Sequence, residues 1–148
     1  KTNENVTTSI MRFSVVLGKN GGALQKMWLP FSLGLGGIIG DGKQSMSFIH
    51  IKDLCKIYKY VIENNLGGIF NVSAPEMITN EQFTKTLGKI LNRPTIFPVP
   101  VGILKIIFGE GSQVLTNGQA AVPQRLINSS FKFDYPTIEE TLKDIKNS

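Results

Sequence analysis

Apolar positions crowd residues 9–18, SIMRFSVVLG, and a run of that kind predicts a mostly buried strand of the parallel type, which needs neighbours on both sides. Residues 41–51, DGKQSMSFIHI, alternate apolar and polar side chains like a second strand. Residues 51–65 change period. Leu54, Ile57, Tyr58, Val61 and Ile62 share one helical face, Asp53 falls in the first turn where the dipole favours an anion, and Gly67 and Gly68 close the helix. Lys52, Lys56 and Lys59 lie opposite the stripe as a solvated face, and Cys55 falls in or beside the helix core. A short strand, GIFNVSAP, ends at Pro75. A second helix follows, with capping-box spacing at Thr79 and Gln82, a stripe of Phe83, Leu87, Ile90 and Leu91, and Pro94 as its stop. Residues 95–126 are apolar, rich in proline and glycine, and poor in charge. Residues 131–145 predict a short strand, FKF, and a last helix capped by Thr137 with Glu140, whose stripe is Ile138, Leu142 and Ile145. Strand and helix alternate, which predicts an α/β architecture.

Residues 34–40, GLGGIIG, space their glycines like a dinucleotide-binding loop. Such a loop works where a buried strand ends and a helix begins, so that backbone N–H groups and the helix dipole meet the pyrophosphate. Here ALQKMWLPFSL precedes the glycines and the alternating stretch follows them, which is the wrong order. The pattern predicts a loop whose glycines permit positive φ and close backbone approach.

Composition then narrows the class. The chain has 148 residues, 41% hydrophobic and 18% charged, as expected for one globular domain or a piece of one. The net charge of +5 is scattered, without the basic run and interleaved aromatics of a nucleic-acid binder. The single cysteine excludes an internal disulfide and fits a reducing compartment, and the single histidine, His50, cannot make a metal site alone. The most apolar short stretch, VGILKIIFG, is too short to span a bilayer and carries Lys105, so a cytoplasmic location is expected. The chain opens on Lys1 with a parallel-type strand soon after, from which a larger parent protein is expected.

The ordered segments MRFSVVLGKNGGAL, GDGKQSMSFIHIKDL, GIFNVSAPEMITNEQF, RPTIFPVP, GQAAVPQRL and FKFDYP together carry a resemblance. The chain resembles the C-terminal half of an extended short-chain dehydrogenase/reductase of the NAD-dependent epimerase/dehydratase family. Within it, the chain is similar to the branch that ends in a domain of uncharacterised function, whose members are variously called nucleoside-diphosphate-sugar epimerases or cell-division inhibitors. The resemblance implies late parallel strands of a Rossmann-type sheet over residues 1–93, with substrate-side loops, and a small α+β substrate-binding subdomain over residues 94–148. It implies NAD or NADP as cofactor, bound mainly by a preceding half that supplies the glycine loop and a Tyr-x-x-x-Lys pair. No tyrosine here has that lysine: Tyr58, Tyr60 and Tyr135 are followed four residues on by Ile62, Asn64 and Glu139.

The implied site lies at the C-terminal edge of the strands, where ligands of open α/β sheets bind. Leu17 and Gly18 are implied cofactor neighbours, and Lys19, Met27, Met46 and Phe48 substrate neighbours, with no catalytic or metal-binding residue. Two departures bear on the substrate. Relatives that act on sugar nucleotides carry an arginine where Met46 stands, which grips the diphosphate, and an asparagine where Val15 stands, which hydrogen-bonds substrate; Arg12 matches a strand arginine. The resemblance thus implies the inert, substrate-binding part of an NAD(P)-dependent oxidoreductase acting on a small molecule. The alternative from another class is a non-enzymatic interaction module related to cell-division control. In either case the unpaired strand is expected to make the 148-residue chain self-associate.

Overall fold

The computed structural model describes residues 6–96, 99, 118 and 120–148. Its elements run β1 (Ser9–Phe13), β2 (Val15–Leu17), α1 (Gly22–Ser32), β3 (Ser45–Met46), β4 (Phe48–His50), α2 (Ile51–Glu63), β5 (Gly68–Val72), β6 (Ile78–Thr79), α3 (Asn80–Leu91), α4 (Gln124–Asn128) and α5 (Ile138–Asn147). The strands pair two by two. β1 lies parallel to β5 with Ser9 opposite Gly68, β2 lies parallel to β4 with Val15 opposite Phe48, and β3 runs antiparallel to β6.

The long strand expected over residues 9–18 is therefore two strands in two sheets, and the break falls at Ser14. Its N–H and hydroxyl both donate to the Val72 carbonyl, at 3.1 and 3.0 Å, while the next residue, Val15, donates to the Ser47 carbonyl at 3.1 Å. One buried serine thus passes the chain from β5 to β4. The expected burial also fails for β1. Ile10, Arg12 and Phe13 are exposed, because strand β5 covers a single edge and no described element covers the face carrying Ile10.

Two hydrophobic clusters fill the fold. In the first, Leu17 and Phe48 meet Leu24, Met27 and Phe31 of α1, Phe83 and Leu87 of α3, and Ile138, Leu142 and Ile145 of α5. In the second, Ile49 packs with Ile57 and Val61 of α2, Phe70 and Val72 of β5, and Leu126 of α4. Successive residues of β4, Phe48 and Ile49, enter opposite clusters, so this strand is covered on both faces.

Helix starts follow the expected caps. Thr79 with Gln82 and Thr137 with Glu140 form complete capping boxes, and the stripes of α3 and α5 are buried apart from Leu91, which is half-buried. Other expectations need correction. α2 stops at Glu63, because Asn65 takes the left-handed turn (φ 48°) before Gly67 and Gly68 are reached. Cys55 is exposed rather than in the helix core. Residues 131–134 form no strand; Phe131 donates to the Leu126 carbonyl, and the Asp53 carboxylate holds the N–H groups of Asp134 and Tyr135, as described below. Residues 34–40 lead from α1 into β3 and open no helix, as their neighbours required, and Gly34 and Gly40 use positive φ of 76° and 59°. Gly36 is needed for space: a Cβ there would stand 2.4 Å from the Phe31 ring.

Two measurements check this account. Gly36→Ala is expected to lose about 1–3 kcal/mol in urea unfolding, since the ring of Phe31 is held in the core and must shift. The free edge of β1 and the exposed Ile10–Ile69 pair are expected to drive self-association of the 148-residue chain, which Ile10→Lys relieves in sedimentation velocity; a wild-type chain that stays monomeric at high concentration contradicts this.

Candidate functional site

Because β2 and β4 are parallel, their last residues, Leu17 and His50, lie side by side and point toward the same end of the fold. The chain leaves β2 through a tight loop, closed by a bridge between Gly18 and Gly21, and enters α1 at Gly22 with φ 71°. It leaves β4 directly into α2. His50 is the N-cap: its Nδ1 accepts the Lys52 N–H at 3.0 Å. The end of α5 crosses above with Asp144 and Ile145. Between these parts opens a cavity of about 530 Å³, walled by Val16, Gly18, Lys19, His50, Lys52 and Asp144 among others. A second cavity of about 400 Å³ lies across the same loop, shares Gly18, Lys19, Asn20 and Ile145, and reaches Trp28 and Ser32 on α1.

Four titratable side chains join at the edge of the larger cavity. Asp144 accepts two hydrogen bonds from Lys52 Nζ, at 2.9 and 2.8 Å, and one from the Tyr135 hydroxyl at 2.9 Å. Lys52 Nζ also donates to the Tyr135 oxygen at 3.3 Å. His50 Nε2 stands 3.2 Å from Asp144 Oδ2, a contact that favours the protonated imidazole but is poorly aligned as a hydrogen bond. The Tyr135 ring stacks on the imidazole, centroids 4.0 Å apart. Asp53 sets this arrangement: fully buried in the first turn of α2, it accepts the backbone N–H groups of Asp134 and Tyr135, each at 2.9 Å.

The charges respond accordingly. Burial pushes the His50 imidazole below its ordinary value, against the pull of Asp144. The Lys52 hydrogen bond holds the Asp144 carboxyl below the usual carboxylate range, and the same bond raises Lys52. At neutral pH the cluster thus holds a neutral imidazole, a carboxylate and an ammonium. Its Nδ1 is an acceptor, so the imidazole proton sits on Nε2.

Of the residues expected at the site, Gly18 and Lys19 line both cavities. Leu17, Met27, Met46 and Phe48 are placed in the first hydrophobic cluster, none more than 7% exposed, and Val15 packs against the same cluster. Arg12 is exposed on β1. Lys52, Lys56 and Lys59 lie on an exposed face, as expected, and there form ion pairs with Asp144, Asp134 and Glu63. The cluster of His50, Lys52, Tyr135 and Asp144 was missed. The cap position of His50 was the one local signal for it, since Lys52 and Tyr135 are 83 residues apart. Among the described residues no group of three or more His, Cys, Asp or Glu could hold a metal ion, and no helix is long and apolar enough to cross a membrane.

Paired parallel strands with helices on both sides, and cavities at the strands' C-terminal ends, define a piece of a Rossmann-type α/β domain. The comparisons with known proteins specify which. Over 144 residues, 96% of this chain and 49% of the relative, it is 41% identical to the mouse epimerase family protein SDR39U1. It is 38% identical over 141 residues to the epimerase family protein YfhF of Bacillus subtilis, covering 95% of this chain and 46% of that one. The crystal structure of human SDR39U1 (isoform 2) with NADPH superposes with a TM-score of 0.89 at 35% identity, covering 98% of this chain and 50% of that one. Residues 99–145 match a domain of unknown function, DUF1731. The chain belongs to the epimerase family of SDR39U1 and YfhF and matches its C-terminal half. It spans about half the length of the curated relatives it matches.

The imidazole makes the site pH-sensitive. The folded pKa of His50 lies below the ordinary 6.5, so the unfolded chain binds a proton more readily, and the stabilisation is present above pH 6.5 and lost as pH falls through the folded value. Asp144 acts in the same sense below its ordinary 3.8. Melting temperature is expected to fall as pH drops below 6.5, and His50→Asn, which keeps an N-cap acceptor, is expected to flatten that first decline while leaving the drop below pH 3.8.

Proposed function

We propose that the chain forms the substrate-side part of an NADP(H)-dependent oxidoreductase of the epimerase family, acting on a small molecule other than a nucleotide sugar. The observation that carries this reading is the superposition on a relative crystallised with NADPH, at a TM-score of 0.89 over 98% of the chain. Ligand contact falls to Gly18 and Lys19 on the loop after β2, where both cavities meet. Leu17, Met27, Met46 and Phe48 support that loop from the core. The glycine loop and the Tyr-x-x-x-Lys pair that hold and activate the dinucleotide would come from a segment preceding this one, as the relatives' greater length allows. The tyrosine of such a pair exchanges a proton with substrate while the lysine lowers its pKa. Against a nucleotide sugar stands Met46, whose thioether supplies no charge fork for a diphosphate.

The 148-residue chain alone is expected to show no NADPH oxidation with small carbonyl compounds. The same chain joined to a preceding half with the glycine loop is expected to bind NADPH, read by quenching of its tryptophan fluorescence. Steady turnover by the 148 residues alone, or no NADPH binding by the joined protein, overturns the proposal.

A further inference from the structure

We propose that His50 is a proton-operated switch at the start of α2: the proton it takes in acid goes to the atom that caps the helix, so its titration uncaps Lys52 and rearranges the wall of the larger cavity. The switch itself needs no ligand; only its bearing on function rests on the reading of that cavity as the functional site. The geometry leaves one place for the proton. His50 is 1% exposed, its Nε2 carries the proton of the neutral ring and faces Asp144 Oδ2 at 3.2 Å, and its Nδ1 accepts the Lys52 N–H at 3.0 Å. A second proton enters at Nδ1, the one ring nitrogen with a lone pair left. There it faces the Lys52 N–H, donor against donor, and the cap is lost.

Lys52 ties the cap to the cavity. Its backbone is capped by His50 while its ammonium grips Asp144, and Lys52 Nζ, at 2.8 Å, and His50 Nε2 address the same oxygen, Oδ2. An imidazolium strengthens its own hold on that oxygen and repels the ammonium beside it, so protonation loosens Lys52 at both ends. His50, Lys52 and Asp144 all wall the larger cavity, which therefore has two arrangements selected by pH. The groups around the ring set the balance. Burial opposes the charged ring most, and the Lys52 ammonium opposes it too, while Asp144 on α5 and Asp53 in the first turn of α2 favour it. Tyr135, in the segment before α5, stacks on the ring and donates to the same carboxylate, and Lys19 adds a positive charge to the cavity wall. The neutral ring prevails at the ordinary value of 6.5, so the switch works below it, and Asp144 stays ionised as its partner down to below 3.8.

His50 is the only histidine, so its ring resonances are identified without ambiguity in NMR spectra. Long-range proton–nitrogen correlation at neutral pH is expected to show Nδ1 as the unprotonated nitrogen. Between pH 6.5 and pH 3.8 the Lys52 amide is expected to titrate with the midpoint of the ring. Its protection from hydrogen exchange is expected to fall about fivefold, the size of one lost N-cap, while the Gln82 amide, capped by the Thr79 hydroxyl, keeps its protection. Asp144→Asn is expected to lower the midpoint of the ring and Lys52→Met to raise it, and His50→Asn to abolish the Lys52 transition. Three results overturn the switch: a neutral ring with its proton on Nδ1, a Lys52 amide that stays in place while the ring titrates, or a ring that titrates only as the far-UV circular dichroism of the folded chain is lost. None of these readouts involves a cofactor, so failure of the switch leaves the proposed function standing.

Discussion

The geometry of the site hangs on the Asp53 carboxylate. It is fully buried, it has no ion pair among the described residues, and it accepts two backbone N–H groups from Asp134 and Tyr135. A carboxylate so placed is tolerable only because those bonds are charge-assisted and the first turn of α2 offers the positive end of its dipole. The cap and the clamp thus reinforce each other: His50 starts the helix, the helix steadies Asp53, and Asp53 fixes the segment that lays Tyr135 flat on His50. Glu76 extends the tie by accepting the Ile138 N–H at the start of α5. With α5 so fixed at its start, its burial against α3 carries Asp144 to the cavity.

The rest of the frame is a division of labour between the two faces of β2 and β4. Val16 and Ile49 face the cluster built on α2 and β5, and Leu17 and Phe48 face the cluster built on α1, α3 and α5. A short parallel pair covered on both faces is held mainly by packing, since two strands of three residues make few ladder bonds. Its rigidity comes from large neighbours without free volume, Phe48 and Phe83 among them, each no more than 1% exposed. A loop leaving such a pair has a fixed origin, which is what a binding loop requires.

Much of this was legible in the sequence, and the limits are physical. The capping boxes at Thr79 and Thr137 could be read because cap chemistry is local: donor and acceptor are three residues apart. The parallel character of residues 9–18 could be read from their apolar content, but the break at Ser14 could not, because it is set by the Val72 and Ser47 carbonyls, which are distant in sequence. Likewise FKF has the composition of a strand and forms none: Phe131 donates to the Leu126 carbonyl at the end of α4, and Asp53 holds the two residues that follow, Asp134 and Tyr135. The lysines of α2 show the same limit from the other side. Their spacing places them away from the apolar stripe, and only the fold brings Asp134 and Asp144 to meet them.

On the proposed reading, Met46 and Val15 stand where sugar-nucleotide enzymes carry an arginine and an asparagine, and their packing bears on the ligand class. Met46 pairs with Ile78 across β3 and β6 and is 7% exposed within the first cluster, so its side chain contributes volume. A guanidinium at that depth would need an anionic partner to offset its desolvation, and with none supplied by ligand it would cost stability. Methionine removes the requirement, and Val15, packed against the same cluster, removes a polar anchor beside it. With both in the packing, the polar groups offered to the cavities at the strand ends are those of the loop after β2. On the proposed reading, recognition falls not at the start of β2, at Val15, but beyond its end, at Gly18 and Lys19.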